Sequence, residues 1–115
     1  MTEDDLYLLL KPLAGGQVYP YVAPLGSDGK PSISPPWLIF SLISEVATDV
    51  FCGHAESGIS VQVDVYSLTL KEARSLREMA LQAVNPLNPT NISKTPGYEP
   101  ENRYYRATLE FQVTV

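Results

Sequence analysis

The residues of this chain that could do chemistry are few, and Cys52 and His54, on either side of Gly53, come first. A thiol two residues from an imidazole is the raw material of a nucleophile with its general base. Two positions apart on an extended chain is only one way for such groups to meet, and no Asn or Asp is placed to orient the imidazole. The plain reading is a loop thiol and a loop imidazole. One Cys cannot form an internal disulfide, and one Cys with one His falls short of the three or four protein ligands of a zinc site. Paired carboxylates occur as Asp4-Asp5 and as Glu99-x-Glu101, where a helix start and a turn explain them better than general acid-base work. Gly15-Gly16 lacks the following helix and the Lys-Ser/Thr of a phosphate loop. Asp64 and Arg106, on strands expected to be neighbours, read as a cross-strand ion pair. An enzyme reading has no residue set behind it, and no catalytic residue, cofactor or metal is expected.

The elements that must position these groups follow from hydrophobic period. Residues 2–11 read as a helix: Thr2 is a natural N-cap, Glu3, Asp4 and Asp5 suit the positive end of the helix dipole, and Leu6, Leu9, Leu10 and Leu13 form an apolar stripe. Pro12 and Gly15-Gly16 stop it. Residues 17–22 are β-branched and aromatic, but Pro20 has no N–H for a full ladder, which predicts a short edge strand. Residues 23–36, with the turn sequence Ser27-Asp28-Gly29-Lys30, read as an exposed loop. Trp37 to Ile43 is apolar at odd and even positions alike, the pattern of a strand buried on both faces. Residues 44–49 continue it toward a turn containing Gly53 and Gly58.

Strict alternation from Ile59 to Tyr66 predicts a strand hairpinned to the one before it, with Ile59, Val61, Val63 and Val65 facing the core. Thr69-Leu70-Lys71-Glu72 fits a capping box that opens a second helix, whose buried stripe is Leu70, Ala73, Leu76, Ala80, Ala83 and Val84. Pro86 ends it. Residues 85–102 read as a second Pro/Asn-rich connection with one short strand around Ile92. The chain closes on a strand over residues 104–115, with Tyr105, Ala107, Leu109, Phe111, Val113 and Val115 on the core face. The predicted fold is α+β: a mostly antiparallel sheet of four to five strands with two helices packed on one face. The other face then carries Gln62, Asp64, Tyr66, Tyr104, Arg106, Thr108 and Glu110, a mixture that suits either solvated surface or a subunit contact.

Composition limits the function. A chain of 115 residues with 44% hydrophobic and 18% charged residues has the size and apolar content of one globular domain, here residues 1–115, and too much apolar side chain for a disordered tail. Eight Lys and Arg against thirteen Asp and Glu give a net charge of −5, with a pI near 4.7, so the surface field repels phosphate chains and anionic membranes. No apolar run approaches the length of a membrane span, and the acidic start Glu3-Asp4-Asp5 is unlike a signal peptide, so folding in a cytoplasm is expected. No internal repeat or low-complexity tract is visible.

Taken in order, Val18-Tyr19-Pro20 with Ala23-Pro24-Leu25-Gly26, Pro35-Pro36-Trp37-Leu38-Ile39-Phe40, Val61-Gln62-Val63-Asp64-Val65-Tyr66 followed by Glu72-Ala73, and Gly97-Tyr98-Glu99 before Tyr105-Arg106-Ala107-Thr108-Leu109-Glu110-Phe111 form a recognisable series. From about residue 6 to 115 the chain resembles the small tail-completion, or tail-terminator, proteins of long-tailed bacteriophages and prophages. The second long loop, residues 85–97, departs from that pattern by its extra Asn and Pro. The resemblance implies a structural subunit of a hexameric ring that caps the tail tube, ends its polymerisation and offers the surface for head joining. The partners implied are further copies of the chain, the tail tube protein and a head-tail joining protein. DNA passes through such a ring without being specifically bound, no membrane is involved, and the protein belongs to the virion tail, assembled in the bacterial host cytoplasm. Asp28, Lys30, Gln62, Asp64, Tyr66, Tyr104, Arg106 and Glu110 are the candidate protein-interaction residues. The alternative is a small bacterial adaptor or regulatory binding module that uses the polar sheet face.

Overall fold

A computed structural model describes residues 1–49 and 55–114, with side chains placed for 1–45 and 58–114. The elements run α1 (Glu3–Leu10), β1 (Val18–Pro20), β2 (Trp37–Asp49), β3 (Ala55–Ser67), α2 (Leu70–Ala83), β4 (Thr90–Glu99) and β5 (Tyr104–Thr114), with short 3-10 turns at Leu13–Gly16 and Asn85–Leu87. One sheet contains all the strands in the order β1-β2-β3-β5-β4. β1 is parallel to β2, and every other neighbour is antiparallel. The α+β fold with its mostly antiparallel sheet and two helices is the predicted one, and β1 sits at an edge, where Pro20 is tolerated.

Period-2 patterning decides which side chains meet the helices. Val61, Val63 and Val65 of β3, Leu109, Phe111 and Val113 of β5, and Leu38 and Phe40 of β2 form one buried cluster with Leu6 and Leu10 of α1 and Ala80 and Val84 of α2. The hairpin expected between β2 and β3 forms, but each strand is 13 residues long, so Gly58 lies in β3 and not in a turn. Cys52, Gly53 and His54 lie outside the described residues, as does Val115.

α2 begins as its sequence suggests, with a variation in the cap. The Glu72 N–H donates to Thr69 Oγ1 at 3.2 Å, but the Glu72 carboxylate accepts from the Ser67 hydroxyl and not from the Thr69 N–H. That N–H donates to Ser67 Oγ at 3.3 Å. A fully buried Ser67 thus completes the box and locks the end of β3 to the start of α2, which fixes where the helix lands on the sheet.

Residues 85–102 depart from expectation. They contain a ten-residue edge strand, β4, where a loop with one short strand was predicted. Seven of its side chains, Thr90 to Pro96, are exposed, so no apolar alternation marks it, and Pro96 and Gly97 read locally as breakers. Pairing with β5 overrides that local preference. The helix-side position of β4 at Lys94 is tied to α2 by a 2.6 Å ion pair with Glu78, exposed and worth tenths of a kcal/mol.

Arg77 is a second surprise. The buried face of α2 runs Ala73, Arg77, Ala80 and on to Val84 just past its end, and Arg77 retains only 8% exposure, with Nε and Nη1 lacking a hydrogen-bond partner among the described residues. A buried donor without a partner costs about 1–3 kcal/mol, whereas an unbranched apolar chain fills the same space without that cost. Arg77→Met is therefore expected to raise unfolding free energy by about 1 kcal/mol, seen as a higher urea midpoint at unchanged slope. A lower midpoint would show that the guanidinium is bonded in solution.

Candidate functional site

The face of the sheet away from the helices is built by the alternate residues of four strands. Register places Trp37 beside Tyr66, Ile39 beside Asp64 and Ser41 beside Gln62, and then Asp64 beside Thr108 and Tyr66 beside Arg106. On β4, Gly97 lies opposite Arg106 and Glu99 opposite Tyr104. The expected residues Gln62, Asp64, Tyr66, Tyr104, Arg106, Thr108 and Glu110 do share this face.

Its centre is an aromatic cluster that sequence reasoning missed. Trp37 is 2% exposed, stacks on Tyr66 with ring centroids 5.2 Å apart, and meets Tyr104 edge to face at 4.9 Å. Such contacts add to simple burial because the edge of one ring is positive and the face of the other negative. Ala23, Ile33, Ile39 and Tyr19 pack around them, so the loop expected to be wholly exposed closes part of this face. Its anchors are polar: Gln17 Nε2 donates to the carbonyls of Ser34 and Pro36, each at 2.8 Å. At the other end the Tyr21 hydroxyl donates to Glu3 Oε1 at 2.9 Å, a bond that holds the phenol's pKa above its usual value. The parity of Trp37 and Ile39 was the available signal, since a strand apolar on both faces must meet something on its second side.

Asp64 is the polar centre. It is 8% exposed, accepts from Thr108 Oγ1 at 2.6 Å and from Gln62 Nε2 at 2.8 Å, and so has a donor on each carboxylate oxygen. The Asp64–Arg106 ion pair expected from sequence does not form, because register sets Asp64 against Thr108 and sends Arg106 one pair along. Arg106 instead lies 3.5 Å from Glu99. The guanidinium rests over Gly97, where an added Cβ would come within 3.1 Å of Nη2 and 3.2 Å of Nε; the missing side chain is what lets it lie flat on the sheet.

Between the loop and the face is a cleft of about 290 Å³, lined among others by Leu25, Pro31, Trp37, Asp64, Tyr66 and Glu99. Asp28 and Lys30 do not line it. They stand exposed at the loop tip, in a small turn closed by Gly26 N–H to Lys30 C=O at 2.7 Å, with the Asp28 carboxylate accepting from the Lys30 N–H at 3.0 Å. Glu110 is exposed on β5, opposite Gln62 on one side and Ser93 on the other. Among the described residues no group of three or more His, Cys, Asp and Glu is placed to hold a metal ion, and no helix is long and apolar enough to cross a membrane.

A sheet face of mixed aromatic and polar groups, with a loop closing part of it and two helices on the opposite face, defines a small α+β domain with open strands at its edges. The chain belongs to the family described as tail completion protein gp17, which it matches over residues 10–115. It is a structural component of a phage-type tail. The fold is similar to that of a chain from the virion of a native gene transfer agent particle, 16% identical, with a TM-score of 0.51 over 96% of this chain and 83% of that one. No curated protein matches it by sequence.

Tyr66 reports on the face. Burial foremost, then the Asp64 and Glu99 charges, raise its pKa above 10.0, and the Arg106 guanidinium opposes part of the rise. A folded pKa above the unfolded one means that Tyr66 contributes stability in full below the unfolded pKa and loses it as pH rises through the folded value. Absorbance titration is expected to show two phenols, Tyr21 and Tyr66, ionising later than the rest; in a Tyr21→Phe background one late phenol remains, which is lost on adding Tyr66→Phe and ionises later still on adding Arg106→Ala. A late phase that survives both Phe substitutions unchanged would place the buried phenol elsewhere.

Proposed function

We propose that the chain forms a hexameric ring that sits on the last ring of the tail tube, ends its polymerisation and presents the surface to which the head is joined. Membership of the tail completion family over residues 10–115 carries this reading. Its partners are further copies of the chain, the tail tube protein and a head-tail joining protein. Three physical features support it. The body is elongated, 52 × 29 × 25 Å, so one subunit reaches from one neighbour to the next. A charge of −5 per copy, repeated around a ring, gives a net field that repels the phosphates of DNA moving through the bore. Contacts held on strands keep their geometry, whereas the long loop between β1 and β2 offers adaptable groups at its tip.

The proposed contact residues divide accordingly. Tyr66, Tyr104, Arg106 and Glu110 offer side chains at the outer surface of the sheet, and Gln62 and Asp64 hold that surface in shape beneath. Asp28 and Lys30 reach a partner from the loop tip. Complementation of a phage lacking this gene, scored by electron microscopy, tests the role. Loss of the gene is expected to give tails of uncontrolled length without heads, and Cys52→Ser with His54→Ala to restore normal particles. Arg106→Glu and Glu110→Lys are expected to fold yet lower the yield of joined particles by about tenfold, the scale of one lost interfacial charge contact. Normal tail lengths in the absence of the gene would sink the terminator reading. Full yield from both reversals would remove the sheet face from the contact set.

A further inference from the structure

The sheet is left with two long open edges, one on each side. On the first side β1 pairs with β2 only as far as Pro20 opposite Phe40, and β2 continues to Asp49 with β3 alone beside it. The described part of β5 reaches Thr114, opposite Gly58. Among the described residues the outer part of the hairpin is thus a two-stranded arm, which by itself is marginally stable in water. On the second side β4 presents ten residues, and among the described residues no strand pairs beyond it.

Backbone parity shows which groups these edges offer. The Leu38 N–H donates to the Gln17 carbonyl on the β1 side at 2.9 Å, so alternate residues of β2 turn their N–H that way. The bulge between Leu42 and Ser44 slips the alternation by one, and beyond it Glu45 and Ala47 point their N–H groups to the open side. Followed through β3 and β5, whose pairing has no register shift, the same alternation turns Lys94, Pro96 and Tyr98 of β4 outward. Pro96, with no N–H to give, thus occupies a place where β5 asks for none.

We propose that the β4 edge of one copy pairs antiparallel with the β2 arm edge, from Ser41 to Asp49, of the next, so that the ring joint is a continuous sheet. Strand direction is the main argument. β2 and β5 run one way and β3 and β4 the other, so when a second copy is placed beside the first in the same orientation, its β2 meets β4 antiparallel. That continues the alternation of the sheet in its better-bonded form. The two edges are different surfaces, so the contact is head-to-tail and closes into a ring when the rotation permits. Because the arm projects past β1, the neighbour's β4 is displaced along the strands, and a closed sheet needs such a stagger. Charge does not oppose the joint: residues 41–60 contain Glu45, Asp49 and Glu56 and no Lys or Arg, while β4 is balanced by Lys94 and Glu99.

The inference rests on the ring reading, and amide exchange with a per-residue readout separates the two. Wild-type protein is compared free and bound to purified tail tubes, where electron microscopy reports independently whether a ring is present. Within rings, exchange at Glu45, Ala47, Lys94 and Tyr98 is expected to slow by about tenfold or more relative to the free protein. Protection at Lys94 and Tyr98 without Glu45 and Ala47 would mean a two-fold β4–β4 joint, and protection at none of them a joint elsewhere; either overturns the proposal. Tube ends without rings defeat the ring reading and the proposal with it. A variant adds a second line: Lys94→Pro, which removes an outward donor and spares the β5 ladder, is expected to abolish rings, whereas Lys94→Ala keeps them. Rings of normal yield from Lys94→Pro would also overturn the joint.

Discussion

The structure depends on one constraint: β2 begins with Trp37, Leu38, Ile39 and Phe40, all buried, so both faces of the sheet must be covered at that point. Two amphipathic helices have apolar area for only one side, and α1 and α2 use it on Leu38, Phe40 and the valines of β3. The second side is left to Trp37 and Ile39, which the chain covers with neighbouring aromatic rings and with the loop that leads into β2. The loop's position, the stacking of Tyr66 and the site of the cleft all follow from that need.

Once an aromatic cluster occupies the second face, the polar groups around it are no longer ordinary surface. Asp64 keeps its place because Thr108 and Gln62 satisfy both carboxylate oxygens; a buried carboxylate without those donors would be costly. Burial first, and the neighbouring Asp64 charge second, keep the Tyr66 phenol neutral to a higher pH. The half-exposed Arg106–Glu99 pair contributes little to stability, but its location over Gly97 gives it one defined position on a rigid element. In the proposed ring such a face serves through its geometry, holding charged and aromatic groups at fixed places on the sheet.

Edges are the other consequence of the topology. β4 is long and open, and it carries two features that discourage indiscriminate pairing, a lysine and a proline. Both leave most of its outward hydrogen-bonding groups available. In the proposed ring, a subunit gains from keeping its edges selective while its core remains closed.

Much of the molecule was legible from the residues. Alternation from Ile59 to Tyr66 and from Tyr105 to Val113 marked β3 and β5 because a half-buried strand cannot hide its period, and the Thr69–Glu72 pair with its apolar stripe marked α2. The family resemblance rested on the order of short motifs along the chain, which is a property of sequence. Other features depended on contacts between distant residues. β4 has no apolar alternation and contains Pro96 and Gly97, so only the ladder offered by β5 makes it a strand. Asp64 and Arg106 looked like a pair until register set them one step apart, and register is decided by how the whole apolar face fits beneath the helices. Arg77 looked like any helical arginine and became buried because α2 presents that turn to the sheet. The sequence by itself determined which segments had to be buried and with what period, since that is written locally in residue type. The tertiary structure decided which polar groups met across strands and which edges stayed open, because those depend on partners far away along the chain.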